Sequence, residues 1–242
     1  MPAPSDSERV VFVAGATGAL GQATAAAFAG TGAKLALGGT DAARLAAVAA
    51  DLGLTDDVWV AAVGDVTTPE GTRAAVDAAT GRFGRIDILV HVVGGFLAGS
   101  TVAAVELDAA RSMFDQHLWS TIHLVQAIVP GMVERGWGRV LAATTSAAAN
   151  APASSGPYAA AKAAQETILR SLAKEVGPGV TVNLVSLRKI DAEHQRETAP
   201  SPKNAPWTTP EEIAATFLSL ASDEGAAING ARIVLDGRTL PA

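Results

Sequence analysis

The sequence predicts one α/β domain, in which a doubly wound parallel sheet of about seven strands carries helices on both faces. Short apolar runs rich in β-branched residues alternate with longer helical stretches along the chain. A glycine-rich turn joins the first apolar run to the first helical stretch. Of the 242 residues, 49 % are hydrophobic and 17 % are charged, which is enough apolar material for a large core.

The predicted strands are runs of Val, Ile, Leu and Ala, a composition typical of strands buried on both faces. They cover residues 10–14, 34–37, 58–63, 86–93, 139–143, 180–185 and 232–235. Helices are predicted from the glycine turn to residue 29 and at residues 41–51, 68–80, 109–135, 157–175 and 211–221. Asp41 is the expected N-cap of the second helix, and Pro69 takes the first position of the third.

The chain shows no internal repeat and no break in composition, so residues 9–242 are predicted to form a single domain behind a flexible tail over residues 1–8. Residues 187–209 are polar, irregular and contain three prolines. They begin at the carboxyl edge of the sheet, where ligands of such sheets bind, so we expect them to form a substrate lid. A disordered insertion is the alternative.

Composition restricts the partners of the protein. The net charge is −6 and no run is rich in Lys and Arg, which argues against nucleic acid or an acidic membrane surface as a partner. No apolar stretch approaches the ~20 residues of a membrane span, so a cytoplasmic protein is expected. The absence of cysteine excludes disulfides, thiolate catalysis and cysteine-ligated metals, and no metal site is predicted.

The turn at residues 15–21 predicts a dinucleotide site. It reads GATGALG and stands between a strand and a helix, the context that a dinucleotide fingerprint requires. Glycines let the backbone approach a pyrophosphate, and the N–H groups and dipole of the helix N-terminus favour an anion. A purely structural glycine turn is the alternative. The candidate cofactor-binding residues here are Gly15, Thr17, Gly18, Ala19 and Leu20.

Tyr158 and Lys162 form the clearest chemical pair in the sequence. Tyr158 is the only tyrosine, and both residues lie in an Ala-rich predicted helix, so their side chains share a face about one turn apart. A free tyrosine has a pKa near ~10, and a neighbouring ammonium lowers it. Tyr158 would then exchange a proton with a carbonyl or alcohol oxygen. A half-buried tyrosine beside a surface lysine is the alternative.

Together and in this order, these motifs resemble the short-chain dehydrogenase/reductase family over nearly the whole chain. The resemblance rests on the glycine turn, Asp65-Val66 after the third strand, Val93-Gly94 after the fourth, the Tyr158–Lys162 pair and Val182-Asn183 in the sixth. It implies a Rossmann-like domain that binds NAD(H) or NADP(H), with Tyr158 as the catalytic acid/base. It also implies that Lys162 lowers the pKa of Tyr158 and holds the nicotinamide ribose, that Asp65 and Val66 lie near the adenine, and that Val93 and Gly94 line the cofactor.

Two departures from the family bear on catalysis. The serine that binds the substrate carbonyl usually lies thirteen positions before the tyrosine, where this chain has Thr145 followed by Ser146. A threonine hydroxyl donates the same hydrogen bond, so Thr145 is the first candidate and Ser146 the second; hydroxyls that only cap the strand end are the alternative. His117 replaces the family's active-site asparagine, which helps to hold a water that relays protons from the lysine. We expect His117 either to take over this relay or to be a packed side chain without a role.

Further departures concern the sheet and the cofactor. His91-Val92 replace two asparagines of the family, which removes a side-chain tie between strands. Leu187-Arg188 replace a Pro-Gly pair. Arg188 is therefore a candidate partner of a carboxylate or phosphate on cofactor or substrate, with a solvent-facing charge as the alternative.

The end of the second strand favours NADP(H) over NAD(H). Family members that prefer NAD carry an acid there, which binds the ribose 2′-OH and would repel a 2′-phosphate. This chain has Gly39 at that position, followed by Thr40, and both are candidate cofactor-binding residues. Asp41 is explained by helix capping, and Arg44 lies one turn into the helix, within possible reach of a phosphate.

The predicted function is an NAD(P)-dependent oxidoreductase that interconverts a ketone and a secondary alcohol, with a small-molecule carbonyl or alcohol substrate. The departures from the family leave one alternative, a catalytically weak dinucleotide-binding protein with a regulatory or partner role. Phe96, Leu97, Trp119 and Trp207 suggest an apolar rim around the substrate. The Ala-rich helices and the family resemblance predict a homodimer or homotetramer.

Overall fold

Seven parallel strands form one sheet in the computed structural model, which describes residues 5–236. They are β1 (Val10–Ala14), β2 (Lys34–Gly39), β3 (Trp59–Val63), β4 (Ile88–His91), β5 (Gly138–Thr145), β6 (Val180–Leu187) and β7 (Arg232–Leu235). Their order is β3-β2-β1-β4-β5-β6-β7, so the chain changes direction across the sheet between β1 and β4. The predicted doubly wound parallel sheet is confirmed, and ligands of such sheets bind beside this change of direction.

Helices cover both faces of the sheet. They are α1 (Ala19–Ala29), α2 (Ala42–Asp51), α3 (Pro69–Phe83), α4 (Leu107–Phe114), α5 (Ser120–Arg135), α6 (Ala147–Asn150), α7 (Gly156–Glu175), α8 (Gln195–Thr198) and α9 (Pro210–Ala221). Apolar side chains of α1, α2 and α9 fill the core on one face, and those of α3, α5 and α7 fill the core on the other. This two-sided burial explains the continuous apolar runs of the strands.

Local sequence sets where several helices begin. The Asp41 carboxylate accepts hydrogen bonds from the amides of Ala43 and Arg44, which confirms it as the N-cap of α2. Thr68 caps α3, and Pro69 takes the first position of that helix, as predicted. These caps place α2 and α3 directly after the carboxyl ends of β2 and β3.

The helix predicted over residues 109–135 differs from the observed one. The observed helix begins at Leu107 and is interrupted between α4 and α5 by a π-helical segment, Asp115–Trp119. The hydroxyls of Ser120 and Thr121 donate to the carbonyls of Gln116 and His117, a bonding pattern that deforms helices. A π segment departs from the 3.6-residue period, so the sequence pattern did not predict it.

Two further segments correct the predictions. The strand predicted over residues 86–93 is limited to β4, because the chain leaves the sheet after His91 towards the turn at residues 94–95. Residues 188–209 contain α8 and a β-bridge between Ile190 and Thr208. The Asp191 carboxylate accepts from the amides of Gln195 and Arg196 at 2.8 Å each, so a disordered insertion is ruled out as the description of this segment.

Part of the tail predicted over residues 1–8 is structured. Asp6–Glu8 form a 3-10 turn in which the Ser5 amide donates to the Glu8 carboxylate at 3.0 Å. Arg9 follows, buried and ion-paired with Asp6 and Asp223. Residues 1–4 lie outside the described residues.

Candidate active site

The predicted catalytic residues meet at the carboxyl edge of the sheet. Thr145 ends β5, and Tyr158 and Lys162 lie in the first turns of α7. The rings of His117 and Tyr158 pack edge to face with centroids 5.5 Å apart. Ser146 follows Thr145 directly, and its amide donates to the carbonyl of Leu187 at the end of β6.

The glycine turn has the shape of a nucleotide cradle. Gly15 has a φ of 94°, and a Cβ there would lie 3.1 Å from the backbone after β4, so the position requires glycine. A Cβ on Gly21 would lie 2.1 Å from the Gly15 carbonyl oxygen, so α1 packs directly on the turn. Gly18 is the N-cap of α1 and is exposed, as is Ala19. The N-terminus of α1 is therefore open to an anion, and these residues fit a dinucleotide phosphate.

The two other candidates in this turn differ in exposure. Thr17 is half-buried, and its backbone carbonyl accepts a hydrogen bond from the Gln22 side-chain Nε2 at 3.0 Å. The Leu20 side chain lies in the core, so only its backbone can face a cofactor.

The ends of β2 and β3 form the adjoining part of the edge. Gly39 is half-buried, and Thr40 and Arg44 are exposed. A Cβ on Gly39 would lie 3.2 Å from the Leu45 side chain, so an acid at this position needs Leu45 to move. The exposed Asp65 carboxylate accepts from the amide and hydroxyl of Thr67. Val66 is part of the core and presents only its backbone to this edge.

Thr145 and Tyr158 make the contact expected of a catalytic pair. Burial raises the pKa of Tyr158 above its ordinary value, and the neighbouring Thr145 side chain partly opposes this rise. The Ala147 amide donates to Thr145 Oγ1 at 3.3 Å, which leaves the hydroxyl proton of Thr145 for donation. This geometry favours Thr145 over Ser146 as the substrate-binding hydroxyl.

The hydrogen bonds of the Lys162 ammonium go to groups other than Tyr158. It donates to the Ala143 carbonyl at 2.9 Å and to Gln165 Oε1 at 3.0 Å. Burial lowers the pKa of Lys162 to about 7, and the Glu166 carboxylate opposes this. Burial raises the pKa of Tyr158 and the Thr145 side chain opposes this, so Lys162 is not among the causes that shift it here. The role predicted for Lys162 towards Tyr158 stays a prediction.

His117 holds the turn after β4. Its Nε2 lies 3.0 Å from the Gly95 carbonyl oxygen, so Nε2 carries the proton. A Cβ on Gly94, whose φ is 143°, would lie 2.0 Å from the His117 ring, so ring and turn are in direct contact. The Gly95 amide donates to Gln116 Oε1 at 2.7 Å, so consecutive residues of the π segment clamp this turn. Val93, next to it, is half-buried.

His117 and His91 are buried neutral bases. His91 Nε2 lies 3.1 Å from the Ser120 hydroxyl, whose own proton goes to the Gln116 carbonyl. The Nδ1 atoms of both histidines are buried and have no hydrogen-bond partner among residues 5–236. Burial and the charge of Lys162 lower the pKa of each to about 3. His117 therefore stands beside Tyr158 as a neutral ring rather than as a charge.

The remaining candidates surround this centre. Arg188 follows β6 and is exposed. Lys189 lies over the ring of Trp207, 3.7 Å from its centroid, so Trp207 is packed beneath a charge rather than facing substrate. The Phe96 ring is 71 % exposed and meets Tyr158 edge to face at 5.0 Å, which makes it an apolar wall of the site.

Sequence reasoning missed two polar residues behind the site. Gln165 contacts Lys162, and Glu166 accepts from the Thr144 hydroxyl at 2.7 Å and pairs with Arg232. Arg232 also donates to the Thr145 carbonyl at 3.0 Å, which fixes the end of β5. Polar residues three and four positions after Lys162 share its helix face, and that spacing was the available signal.

Comparison with known proteins gives consistent matches. The family model described as enoyl-(acyl carrier protein) reductase matches residues 15–237. A D-threitol dehydrogenase from Mycolicibacterium smegmatis is 33 % identical over 95 % of this chain and 92 % of its own.

Solved structures agree with these sequence matches. A short chain dehydrogenase from Bacillus anthracis has a TM-score of 0.88 and 26 % identity, covering 98 % of this chain and 100 % of its own. The L-sorbose reductase of Gluconobacter frateurii, solved with NADPH and L-sorbose, has a TM-score of 0.85 and 25 % identity over 97 % of each chain. Within residues 5–236 no helix is long and apolar enough to cross a membrane, and the cytoplasmic location stays a prediction.

Proposed function

This chain belongs to the short-chain dehydrogenase/reductase family of oxidoreductases, and we propose that it interconverts a ketone and a secondary alcohol with NADP(H). The observation that carries the proposal is the contact between Thr145 and Tyr158 at the carboxyl edge of the sheet. Two hydroxyls at one point, next to an open glycine cradle, suit a carbonyl oxygen that gains a proton while its carbon gains a hydride.

Tyr158 acts as the acid in ketone reduction. Its raised pKa keeps the phenol protonated near neutral pH, which is the form that gives a proton to the substrate oxygen. The Thr145 hydroxyl donates a second hydrogen bond to that oxygen as negative charge develops on it. In alcohol oxidation the same phenol first has to lose its proton, so the free protein is prepared for the reductive direction.

The dinucleotide, when bound, supplies or accepts the hydride. Gly15, Gly18 and the N-terminus of α1 would hold its pyrophosphate, with Thr17, Ala19 and Leu20 contributing backbone groups. Asp65 and Val66 would lie at the adenine, and Val93, Gly94, Lys162 and Arg188 at the nicotinamide side. Residues 187–209 would close over the substrate. The open N-terminus of α1 and the exposed Gly94 support this arrangement.

The preference for NADP(H) is part of the proposal. It rests on Gly39 in place of an acid, on the crowding of Leu45 against that position, and on the exposed Arg44 nearby. Dissociation constants for NADPH and NADH test it, with Gly39→Asp as the matched variant. We expect NADPH to bind more tightly to the wild type and Gly39→Asp to reverse the order; tighter NADH binding to the wild type would overturn the preference.

The activity test is NADPH consumption with a panel of ketones, with Tyr158→Phe as the inactive control. Turnover that requires Tyr158 supports the proposal. Measurable cofactor binding without turnover on every ketone would instead favour the alternative, a dinucleotide-binding protein with a partner role.

A homodimer or homotetramer is also proposed. The apolar side chains of Leu107, Trp119 and Val133 are exposed along α4, the π segment and α5, and a second copy would cover them. Light scattering at micromolar concentration tests this, and a monomer mass would exclude it.

A further inference from the structure

A chain of hydrogen bonds between side chains joins the Lys162 ammonium to the backbone carbonyl of His117. The Lys162 ammonium donates to the Ala143 carbonyl at 2.9 Å and to Gln165 Oε1 at 3.0 Å. Gln165 Nε2 donates to the Thr121 hydroxyl at 2.9 Å, and that hydroxyl donates to the His117 carbonyl at 2.6 Å. From Lys162 onwards the hydrogen bonds all run in one direction, from α7 through α5 to the π segment.

This chain of hydrogen bonds lies inside the protein. Gln165 is 0 % exposed, Thr121 is 1 % exposed and Lys162 is 6 % exposed. A buried carboxamide is costly unless it is bonded, and this one accepts at its oxygen and donates at its nitrogen. Gln165 stands three residues after Lys162, on the helix face that also carries Tyr158. A side chain held at both ends in this way sets where the Lys162 ammonium can lie.

We propose that Gln165 is a positioning residue for the reaction. It holds the Lys162 ammonium beside the Ala143 carbonyl of β5 and connects it, through Thr121, to the His117 carbonyl. This is the region where the family resemblance implies a relay water. The proposal rests on the proposed function and deepens it. In a carboxamide the acceptor oxygen and the donor nitrogen are different atoms, so Gln165 fixes the ammonium without passing its proton on. When it is protonated, Lys162 is then a cation held at one place in the site.

The charges around Lys162 make the role of Gln165 testable. Glu166 lies one turn further along α7, and its carboxylate is already paired with Arg232 at 3.1 Å. His117 on the π segment and His91 on β4 face Lys162 as neutral rings. Gln165 is the neutral contact at 3.0 Å, so a glutamate in its place would put a second carboxylate directly on the ammonium.

Direct titration of Lys162 tests the proposal without any assay of activity. The chain has five lysines, Lys34, Lys162, Lys174, Lys189 and Lys203, so the NMR signals of lysine labelled with ¹³C at Cε are few, and Lys162→Met assigns the one needed. In the wild type we expect Lys162 to titrate at about 7. Gln165→Glu should raise this midpoint by about one pH unit or more, and Gln165→Met should lower it, because one adds and the other removes a partner of the charged form. Gln126→Glu, on the exposed side of α5, is the matched control and should leave the midpoint unchanged.

A second readout links the titration to the cofactor. The dissociation constant of NADPH, followed by tryptophan fluorescence, should increase as pH rises through the Lys162 midpoint. In each variant, the pH at which this increase occurs should shift together with the Lys162 midpoint. Equal Lys162 midpoints in wild type, Gln165→Glu and Gln165→Met would overturn the proposal. If Gln165→Glu does not fold, Gln165→Met and Thr121→Val decide, and both should lower the midpoint. If the wild type binds neither NADPH nor NADH, the proposed function fails, while the lysine titration still decides the role of Gln165.

Discussion

The two edges of the sheet treat buried charge in opposite ways. At the amino edge, buried charges meet opposite charges. Asp87 is 0 % exposed, accepts a hydrogen bond from the Val10 amide at 3.0 Å and pairs with Arg85 at 2.6 Å, with Arg135 3.8 Å away. Arg9 and Arg139 lie over Trp137, 4.6 Å and 4.4 Å from its centroid, and both reach Asp223.

At the carboxyl edge, the three buried bases make their hydrogen bonds to neutral partners, and the nearby Glu166 carboxylate is paired with Arg232. His91 contacts a hydroxyl, His117 a backbone carbonyl, and Lys162 a carbonyl and a carboxamide. Burial lowers the pKa of all three as a result, to about 3, about 3 and about 7. The lowered pKa of Lys162 reduces stability near neutral pH, and perturbed pKa values of this kind are typical of functional sites. We therefore predict that the amino edge stabilises the fold and that the carboxyl edge carries the chemistry.

The largest effect should come from Tyr158→Phe, which tests the chemical edge. Phenylalanine keeps the packing against Phe96 and His117 but removes the transferable proton. We expect turnover to fall by at least the upper end of the roughly 10²–10⁴-fold that general acid–base catalysis supplies. NADPH affinity and the melting temperature should stay near the wild-type values. Full activity in this variant would disprove the mechanism proposed for Tyr158.

The next effect tests the stabilising edge. Asp87→Ala leaves Arg85 and the Val10 amide without their carboxylate, so we expect a loss of roughly 3–5 kcal/mol in the free energy of unfolding, measured by denaturant. The protein that remains folded should turn over at the wild-type rate. Asp108→Ala breaks an exposed pair with Arg111 and is the control, with a cost below roughly 1 kcal/mol. A kinetic defect in folded Asp87→Ala would contradict the division between the edges.

The division could be predicted only in part from the sequence. Apolar runs, caps such as Asp41 and Thr68, and the glycine turn predicted the sheet and most helices, because these signals are local. The π segment was missed because it breaks the period on which helix prediction depends. The pairing of Arg9 with Asp223 joins residues far apart in the chain, and no local pattern announces such a contact.

The candidate site was predicted as a set of residues but not as a set of contacts. Spacing placed Tyr158 and Lys162 on one helix face, which the structure confirms. It also suggested that Lys162 acts on Tyr158, which stays a prediction, and it did not predict the hydrogen bonds of the ammonium to Ala143 and Gln165. Side-chain direction depends on tertiary partners, and burial, which sets the pKa of Tyr158, depends on the whole fold.

Thr145→Ala is expected to have a smaller effect on the chemical edge than Tyr158→Phe. It removes one donor to the developing oxyanion, which is worth roughly 2.7–4 kcal/mol in comparable sites and would appear in kcat. Ser146→Ala is the matched control, because its hydroxyl is one residue further along, and we expect a clearly smaller loss. If Ser146→Ala lost the activity and Thr145→Ala did not, Ser146 would be the substrate-binding hydroxyl.

The smallest expected effect is the change in the free energy of unfolding per pH unit that the buried histidines cause. The pKa of His91 and of His117 is about 3 in the folded protein, against 6.5 for a free histidine. Between these values the unfolded chain binds more protons than the folded one, so the free energy of unfolding falls as pH falls below 6.5. Above that value the histidines contribute no pH dependence.

Denaturant titrations across this acid range measure the effect. Between about pH 3 and pH 6.5, each histidine should contribute a slope of about 1.4 kcal/mol per pH unit. The double variant His91→Asn, His117→Asn should lose most of this slope, because asparagine does not titrate, while the exposed His194→Asn is the control and should retain it. An unchanged slope in the double variant would mean that the acid sensitivity does not come from the buried histidines, and the contrast between the edges would fail.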